Sequence, residues 1–400
     1  MKVRSLFVYL VILTALTIGF TTLAAAQSSA ARAIYDASAV VPTNLKGIRT
    51  FNPPPAGFNP LTATEEENAV YGFPPRPPQE DTEHYARWAK AMTAAGTRWA
   101  GELRATPYQS RPARPAPAPE GAPEEEAGIK ATGPTTQYYY NWSGFINTQP
   151  TVTKYNNNKT STTNSFYYID SDFNVPVAEE AFNTTPPGTI CDGLVDLVSV
   201  WNGIDGDLDG SALLQGGTQS GISCSNPYGF PLISTFYNAW IEWYPAYPEI
   251  ATFSVNPGDD FFVETWDTTA TQGYVWLDDE TLGISAVFGI TSNGGPGLIG
   301  NSAEYVVERP CCIDLGGTTY FYPLANYVQN FWANSYAETF YEYYKGLATP
   351  WYPGSTSTNT DLAIMVNDQD SANISIPAAQ GKYGIFFEAA ACAYSGGCTP

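Results

Sequence analysis

Histidine is almost missing from this chain of 400 residues. His84 is its one copy, and the 267 residues from Pro134 to the C-terminus have none. Ser-His-Asp triads, Cys-His pairs and H-E-x-x-H zinc sites all need imidazole, so that stretch can host none of them. Basic residues are scarce there too: 5 Lys+Arg stand against 27 Asp+Glu, a formal net charge of −22. Such a region repels itself at neutral pH and is a poor partner for nucleic acid or an anionic membrane. It also lacks a C-x-x-C pair, which argues against a zinc ribbon. Chemistry must therefore run on carboxylates, amides, hydroxyls and aromatics. Carboxylates titrate near pH ~4, so acid relieves the repulsion and the composition points to work at acid pH. Solubility or salt tolerance is the plainer reading of the same count.

The N-terminus carries an address. Lys2 and Arg4 precede an apolar run from Leu6 to about Leu23, followed by Ala24-Ala25-Ala26. This is the layout of a secretory signal over residues 1–26. The run is long enough for an uncleaved anchor, but the Ala triplet before Gln27-Ser28-Ser29 favours cleavage and a secreted product. Six cysteines (Cys191, Cys224, Cys311, Cys312, Cys392, Cys398) all lie beyond residue 190. An even number in an exported chain predicts disulfides. Cys392 and Cys398 are spaced to close a small loop, whereas the adjacent Cys311 and Cys312 are expected to take different partners.

The remainder divides in two. Residues 27–133 hold 11 Lys+Arg and 12 Asp+Glu and are rich in proline. One amphipathic helix is predicted over about 81–103, where Tyr85, Trp88, Met92, Trp99 and Leu103 form a stripe that Asp81 or Thr82 could cap. A single helix cannot bury its stripe alone. It is expected to dock on the acidic region, with Arg87, Lys90, Arg98 and Arg104 available to meet carboxylates. Residues 107–126 have the composition of an exposed, extended linker. Signal, basic segment, linker and acidic domain together suggest a zymogen whose pro-segment is an intramolecular partner; an ordinary N-terminal extension is the alternative. Residues 134–400 read as one all-β domain, a two-sheet antiparallel β-sandwich of concanavalin or jelly-roll type. Tyr336 to Tyr344 is its nearest approach to a helical pattern.

Strand alternation places Glu304, Val306 and Glu308 on one face. A carboxyl in an aromatic groove has its pKa raised and suits acid/base work, although a solvated face is the commoner fate of glutamate. Asp205-Gly206-Asp207-Leu208-Asp209-Gly210 resembles a calcium loop but lacks the closing glutamate, since Gly216 stands there. Gln215, before Gly216-Gly217, is either a surface residue or an amide aimed into a groove. Trp240, Glu242 and Tyr244 share one face, as a binding surface or as wet core. Nothing calls for a metal or organic cofactor.

Five segments in order carry a family likeness: Asn141-Trp142-Ser143-Gly144, Trp201 to Gly206, Leu214-Gln215-Gly216-Gly217, Ala239 to Pro245 and Ala303 to Pro310. The chain resembles the glutamic peptidases, or eqolisins, over about residues 138–370. The resemblance implies a β-sandwich with a catalytic Gln/Glu dyad, here Gln215 and Glu308, and so selects Glu308 over Glu304. Trp142, Trp201, Asp205 and Glu242 map to positions around the dyad. This chain departs from the family pattern at Gln219, where an aspartate is usual, and at Asn202, where a small apolar residue is usual.

The implied activity is a secreted, acid-acting glutamic endopeptidase working on protein or peptide substrates, as a monomer. A β-sandwich glycoside hydrolase using Glu242 and Glu308 is one rival, and a lectin-like binding module is another. Of four N-x-S/T sequons, at Asn141, Asn158, Asn183 and Asn373, the first lies inside a family motif and is expected to be unmodified.

Overall fold

The computed structural model describes residues 35–37, 41–77, 79–94, 96–122, 135–148, 165–180, 193–208, 211–225, 230–315, 318–327, 329–339, 351–353, 359–367, 371–381 and 383–389. The signal at 1–26, the linker after 122, Asn158, Asn183 and the Cys392–Cys398 loop lie outside the described residues.

Val, Ile, Thr and aromatic residues in alternating order build strands. Among the described residues, hydrogen bonds join nineteen of these into one sheet, nearly all antiparallel, beside a separate hairpin of Cys311–Leu315 and Thr318–Phe321. One run of neighbours is Ile250–Ser254, Leu232–Tyr244, Leu213–Ser225, Val195–Ile204, Ser302–Glu308, Trp142–Thr148 and Thr360–Val366. A second is Gln329–Thr339, Phe166–Asn174, Asp260–Thr269, Gln272–Asp279 and Ile284–Thr291. Asn373–Gln380 and Gly384–Ala389 connect the two.

The period of two sorts each strand of the first run. Val198, Val200 and Ile204 share a buried apolar cluster with Val263, Val275 and Leu277 of the second run. Gly216 permits this closeness, because a Cβ there would lie 2.4 Å from Val275 Cγ1. Asn202 points the same way. Its Nδ2 donates to Ser171 Oγ and to the Val263 carbonyl, and its Oδ1 accepts from Thr265 Oγ1. This departure from the family pattern is thus a satisfied core amide.

Three expectations need correction: the length of the helix, the number of helices and the partners of Cys311 and Cys312. The helix runs Thr82–Ala94, with the Asp81 carboxylate accepting from the His84 amide, and stops well before Leu103. Its overrun has a local cause: Thr97–Arg98 pairs as a strand with Ile284 and Ser285, and a Cβ on Gly96 would meet the Gly283 carbonyl at 2.6 Å. Trp99 and Leu103 consequently pack in a different cluster from Trp88 and Met92. A second, short helix, Glu65–Val70, is closed by a capping box between Thr64 and Glu67. Tyr336 to Thr339 belongs to strand Gln329–Thr339. Cys311 and Cys312 pair with each other, at a break in register between Cys311 and Ile313.

The helix meets acidic residues as its charges suggest. Arg87 bridges Asp172 and Glu280, each at 2.6 Å, and Lys90 reaches Glu280 at 2.7 Å. His84 Nε2 lies 2.6 Å from Asp170. Arg98 stacks 4.4 Å over the Trp276 ring, and burial pulls its pKa down to about 10. Arg104 stands exposed. Arg87 is the critical contact, since its removal strips the largely buried Asp172 of its guanidinium partner and leaves Glu280 with Lys90 alone. Arg87→Ala should destabilise the full chain by about 3–5 kcal/mol, read from equilibrium denaturation.

Candidate active site

The opposite face of the first run carries the polar and tryptophan side chains. Gln215 sits directly across from Glu242, its Nε2 donating to Glu242 Oε2 at 2.9 Å. Two strands away, Glu308 ends Ser302–Glu308 opposite Ser199 and Trp142. Trp201 Nε1 donates to Glu308 Oε2 at 2.8 Å, and the Trp142 ring meets the Trp201 ring edge-on at 5.1 Å. Trp240, on the Glu242 face, joins Trp142, Trp201 and Val306 in one cluster. The aromatic groove foreseen around a carboxylate is therefore present. Gln215, Glu242, Glu304 and Glu308 are all fully buried, which excludes the solvated reading of this face.

Burial governs the electrostatics. It pushes Glu308 up to about 8, against the lowering effect of hydrogen bonds from the Arg111 amide and Trp201. Glu249 rises to about 8 through burial and the neighbouring Glu308. Glu242 goes well above the ordinary carboxylate range through burial, with Glu249 and Glu308 adding to it. A carboxyl raised from 4.5 to about 8 keeps its proton in the folded state while the unfolded chain loses it. The folded state then binds more protons, so stability falls as pH rises across that window. The unfolding temperature should therefore be higher at pH about 5 than at pH about 8, with self-repulsion acting in the same direction. Thermal unfolding followed by circular dichroism checks this, and a rising trend with pH would contradict it.

Two features escaped the sequence reading. Glu249 accepts from Gln219 Nε2 at 2.7 Å and from Ser110 Oγ at 3.1 Å. Gln219 lies two alternations along the strand from Gln215, so the same face carries both amides. Asn141 is buried and occupied by main-chain contacts. Its Nδ2 donates to the Arg111 and Pro112 carbonyls, each at 3.2 Å, and its Oδ1 accepts from the Arg114 amide. The motif Asn-Trp-Ser-Gly marked the position without revealing the partner.

The segment predicted as an exposed linker supplies those partners. Residues 107–116 lie along the cleft instead, with Ser110 fully buried. The Ser110 amide donates to Glu242 Oε2 at 3.1 Å and the Arg111 amide to Glu308 Oε1 at 2.9 Å. Asp205 is less central than its motif suggested. Its carboxylate accepts the amides of Ile299, Gly300 and Asn301, which ties down that loop. Both of its oxygens are thereby used, which counts against the calcium loop. Asp207 accepts from Tyr139, while residues 209–210 are outside the described set.

The profile of the Peptidase A4 family matches residues 140–348. Aspergillopepsin-2 of Aspergillus niger is 32% identical over 111 residues, covering 28% of this chain and 36% of that protein. Scytalidopepsin B of Scytalidium lignicola is 29% identical over 163 residues, covering 40% of this chain and 56% of that protein. The matches thus span about a third and just over half of the two relatives' lengths. A crystal structure of scytalido-glutamic peptidase with a peptide-based transition-state analogue superposes with a TM-score of 0.46 at 18% identity, over 62% of this chain and 98% of that one. The crystal structure of aspergilloglutamic peptidase from Aspergillus niger gives 0.36 at 22% identity, over 48% and 99%. The profile covers more than half of the residues and takes in Trp142, Trp201, Gln215, Glu242 and Glu308. The chain is a member of the Peptidase A4 family.

Proposed function

We propose that this chain is a secreted glutamic endopeptidase that hydrolyses peptide bonds at acid pH with a dyad of Gln215 and Glu308. The observation that carries this reading is the cleft itself. A buried amide and a buried carboxyl share one aromatic-lined face, and an extended stretch of polypeptide already crosses them.

The chemistry follows from the two side chains. Glu308, ionised in the molecules that react, takes a proton from a water as that water attacks the peptide carbonyl. Gln215 donates a hydrogen bond to the oxyanion that develops, with Glu242 fixing the amide's orientation. Glu308 then returns the proton to the leaving nitrogen. With residues 107–116 seated, burial holds Glu308 at about 8. Water entering an open cleft removes that desolvation and brings the carboxyl back toward its ordinary range of ~4.3, where an acid-pH base operates.

The rest of the assembly belongs to the same proposal. Residues 1–26 are the secretory signal, 27–133 the pro-segment and 134–400 the peptidase domain of a monomeric zymogen. The two strand runs are the layers of a sandwich, supported by Asn202 reaching from one run to Ser171 and Val263 of the other. A glycosidase would use Glu242 and Glu308 without needing Gln215, and a lectin would need neither as a catalyst. The deciding assay is digestion of an unfolded protein by the acid-incubated chain at pH about 3.5 and about 7, below and above the ordinary range of a glutamate. Cleavage at the lower pH alone is expected. No cleavage at either pH, with polysaccharide bound or cut instead, overturns the peptidase reading.

A further inference from the structure

The stretch 106–116 is held as a bound peptide is held. On one side, the Thr106 amide donates to the Glu249 carbonyl and the Glu249 amide to the Tyr108 carbonyl. Gln109 and Cys311 exchange two main-chain hydrogen bonds, each at 2.9 Å. On the other side, the Ala113 amide donates to Gly206, the Ala116 amide to Tyr138, and the Tyr140 amide to Arg114. This is strand addition, which grips main chain regardless of side-chain sequence. Asn141 completes the grip: it takes the Arg111 and Pro112 carbonyls and the Arg114 amide. Pro112 has no N–H to place, so its carbonyl alone needs a partner.

One peptide bond is singled out at the centre. The amide nitrogen of Arg111 faces Glu308 Oε1, and the preceding amide, that of Ser110, faces Glu242, which in turn holds Gln215. Between those two nitrogens stands the Ser110 carbonyl carbon. We propose that the chain processes itself by cutting the Ser110–Arg111 bond, so that residues 106–116 are both the plug of the cleft and its first substrate. This rests on the peptidase reading above.

The step balances without any further reagent. Once water enters beside the strand and lowers the Glu308 carboxyl toward its ordinary range, a water gives one proton to the ionised Glu308 and its oxygen to the Ser110 carbonyl carbon. The carbon–nitrogen bond breaks, and Glu308 delivers that proton to the Arg111 nitrogen. The products are a Ser110 carboxyl and a free Arg111 amino group. Each product keeps only one half of the main-chain contacts, so each leaves more readily than the uncut strand. Asn141 acts as a positioning residue for the primed half.

Purified full-length chain, kept near neutral pH and then shifted to pH about 3.5, tests this by time-resolved N-terminal sequencing and intact mass. The first new N-terminus should be Arg111, forming at a rate independent of protein concentration and absent in Glu308→Gln. To test the bond without relying on a variant, a synthetic peptide spanning Thr106–Ala116 is also offered to acid-processed wild type, with cleavage expected at the same bond. Wild type that digests unfolded protein, yet acquires its first N-terminus elsewhere and leaves the peptide intact, overturns this proposal and spares the peptidase reading. A chain that cuts neither itself nor unfolded protein overturns both.

Discussion

Glu308→Gln should lose about 10⁴-fold in kcat on peptide substrates, the upper end of what one positioned acid/base group supplies. This side chain is asked both to take the proton from water and to deliver it to nitrogen, and an amide does neither. The loss should come without collapse of the fold. The carboxyl is buried and raised to about 8, so at acid pH the native group is neutral, and a neutral amide of the same shape replaces it. The glutamine oxygen can still accept from Trp201 or from the Arg111 amide, though not well from both. That costs about 1–3 kcal/mol. A second signature separates catalysis from misfolding. Removing one raised carboxyl should flatten the decline in stability between pH about 4.5 and about 8. Denaturant titrations at both ends of that window measure it.

Gln215→Ala should lower kcat by about 10²–10³ with a small change in KM, the expected cost of one missing oxyanion donor. The amide donates to Glu242 in the resting cleft, and it must turn from that carboxyl toward the oxyanion as charge develops. Its Oε1 has no hydrogen-bond partner in the resting state, which leaves the amide held from one side only. Truncation also strips Glu242 of a donor that lowers its pKa, so Glu242 should rise further. Steady-state kinetics on an internally quenched peptide check this prediction. An unchanged kcat would show that peptide hydrolysis here does not use the Gln215 amide, and would contradict the dyad.

Much of this site was legible in the sequence because strand periodicity is rigid. The alternation that puts Glu304, Val306 and Glu308 together, and Trp240 with Glu242, survives any detail of packing. Ordered motifs then chose Gln215 and Glu308 from many glutamines and glutamates. Glu249 was not legible. It precedes strand Ile250–Ser254, outside any motif, and reaches the cleft only because that strand pairs with Leu232–Tyr244. Nor could the helix end be seen, since Trp99 and Leu103 continue the stripe by spacing alone. Steric closeness between Gly96 and Gly283, a contact across nearly half the length of the chain, ends it. Proline content correctly signalled extended backbone over 107–116. Composition cannot say what extended backbone lies upon, and here it lies on the carboxylates.

The central claim is that Gln215 and Glu308 act as one unit on the same peptide bond. A double-variant cycle in kcat/KM at pH about 3.5, comparing Gln215→Ala, Glu308→Gln and the pair, tests this most directly. Residues of one catalytic unit are strongly non-additive. The double variant should therefore be within about tenfold of Glu308→Gln alone, because no oxyanion builds up for Gln215 to stabilise once Glu308 cannot deliver the water. Losses that multiply in full, or a single variant that keeps the wild-type rate, would contradict the dyad.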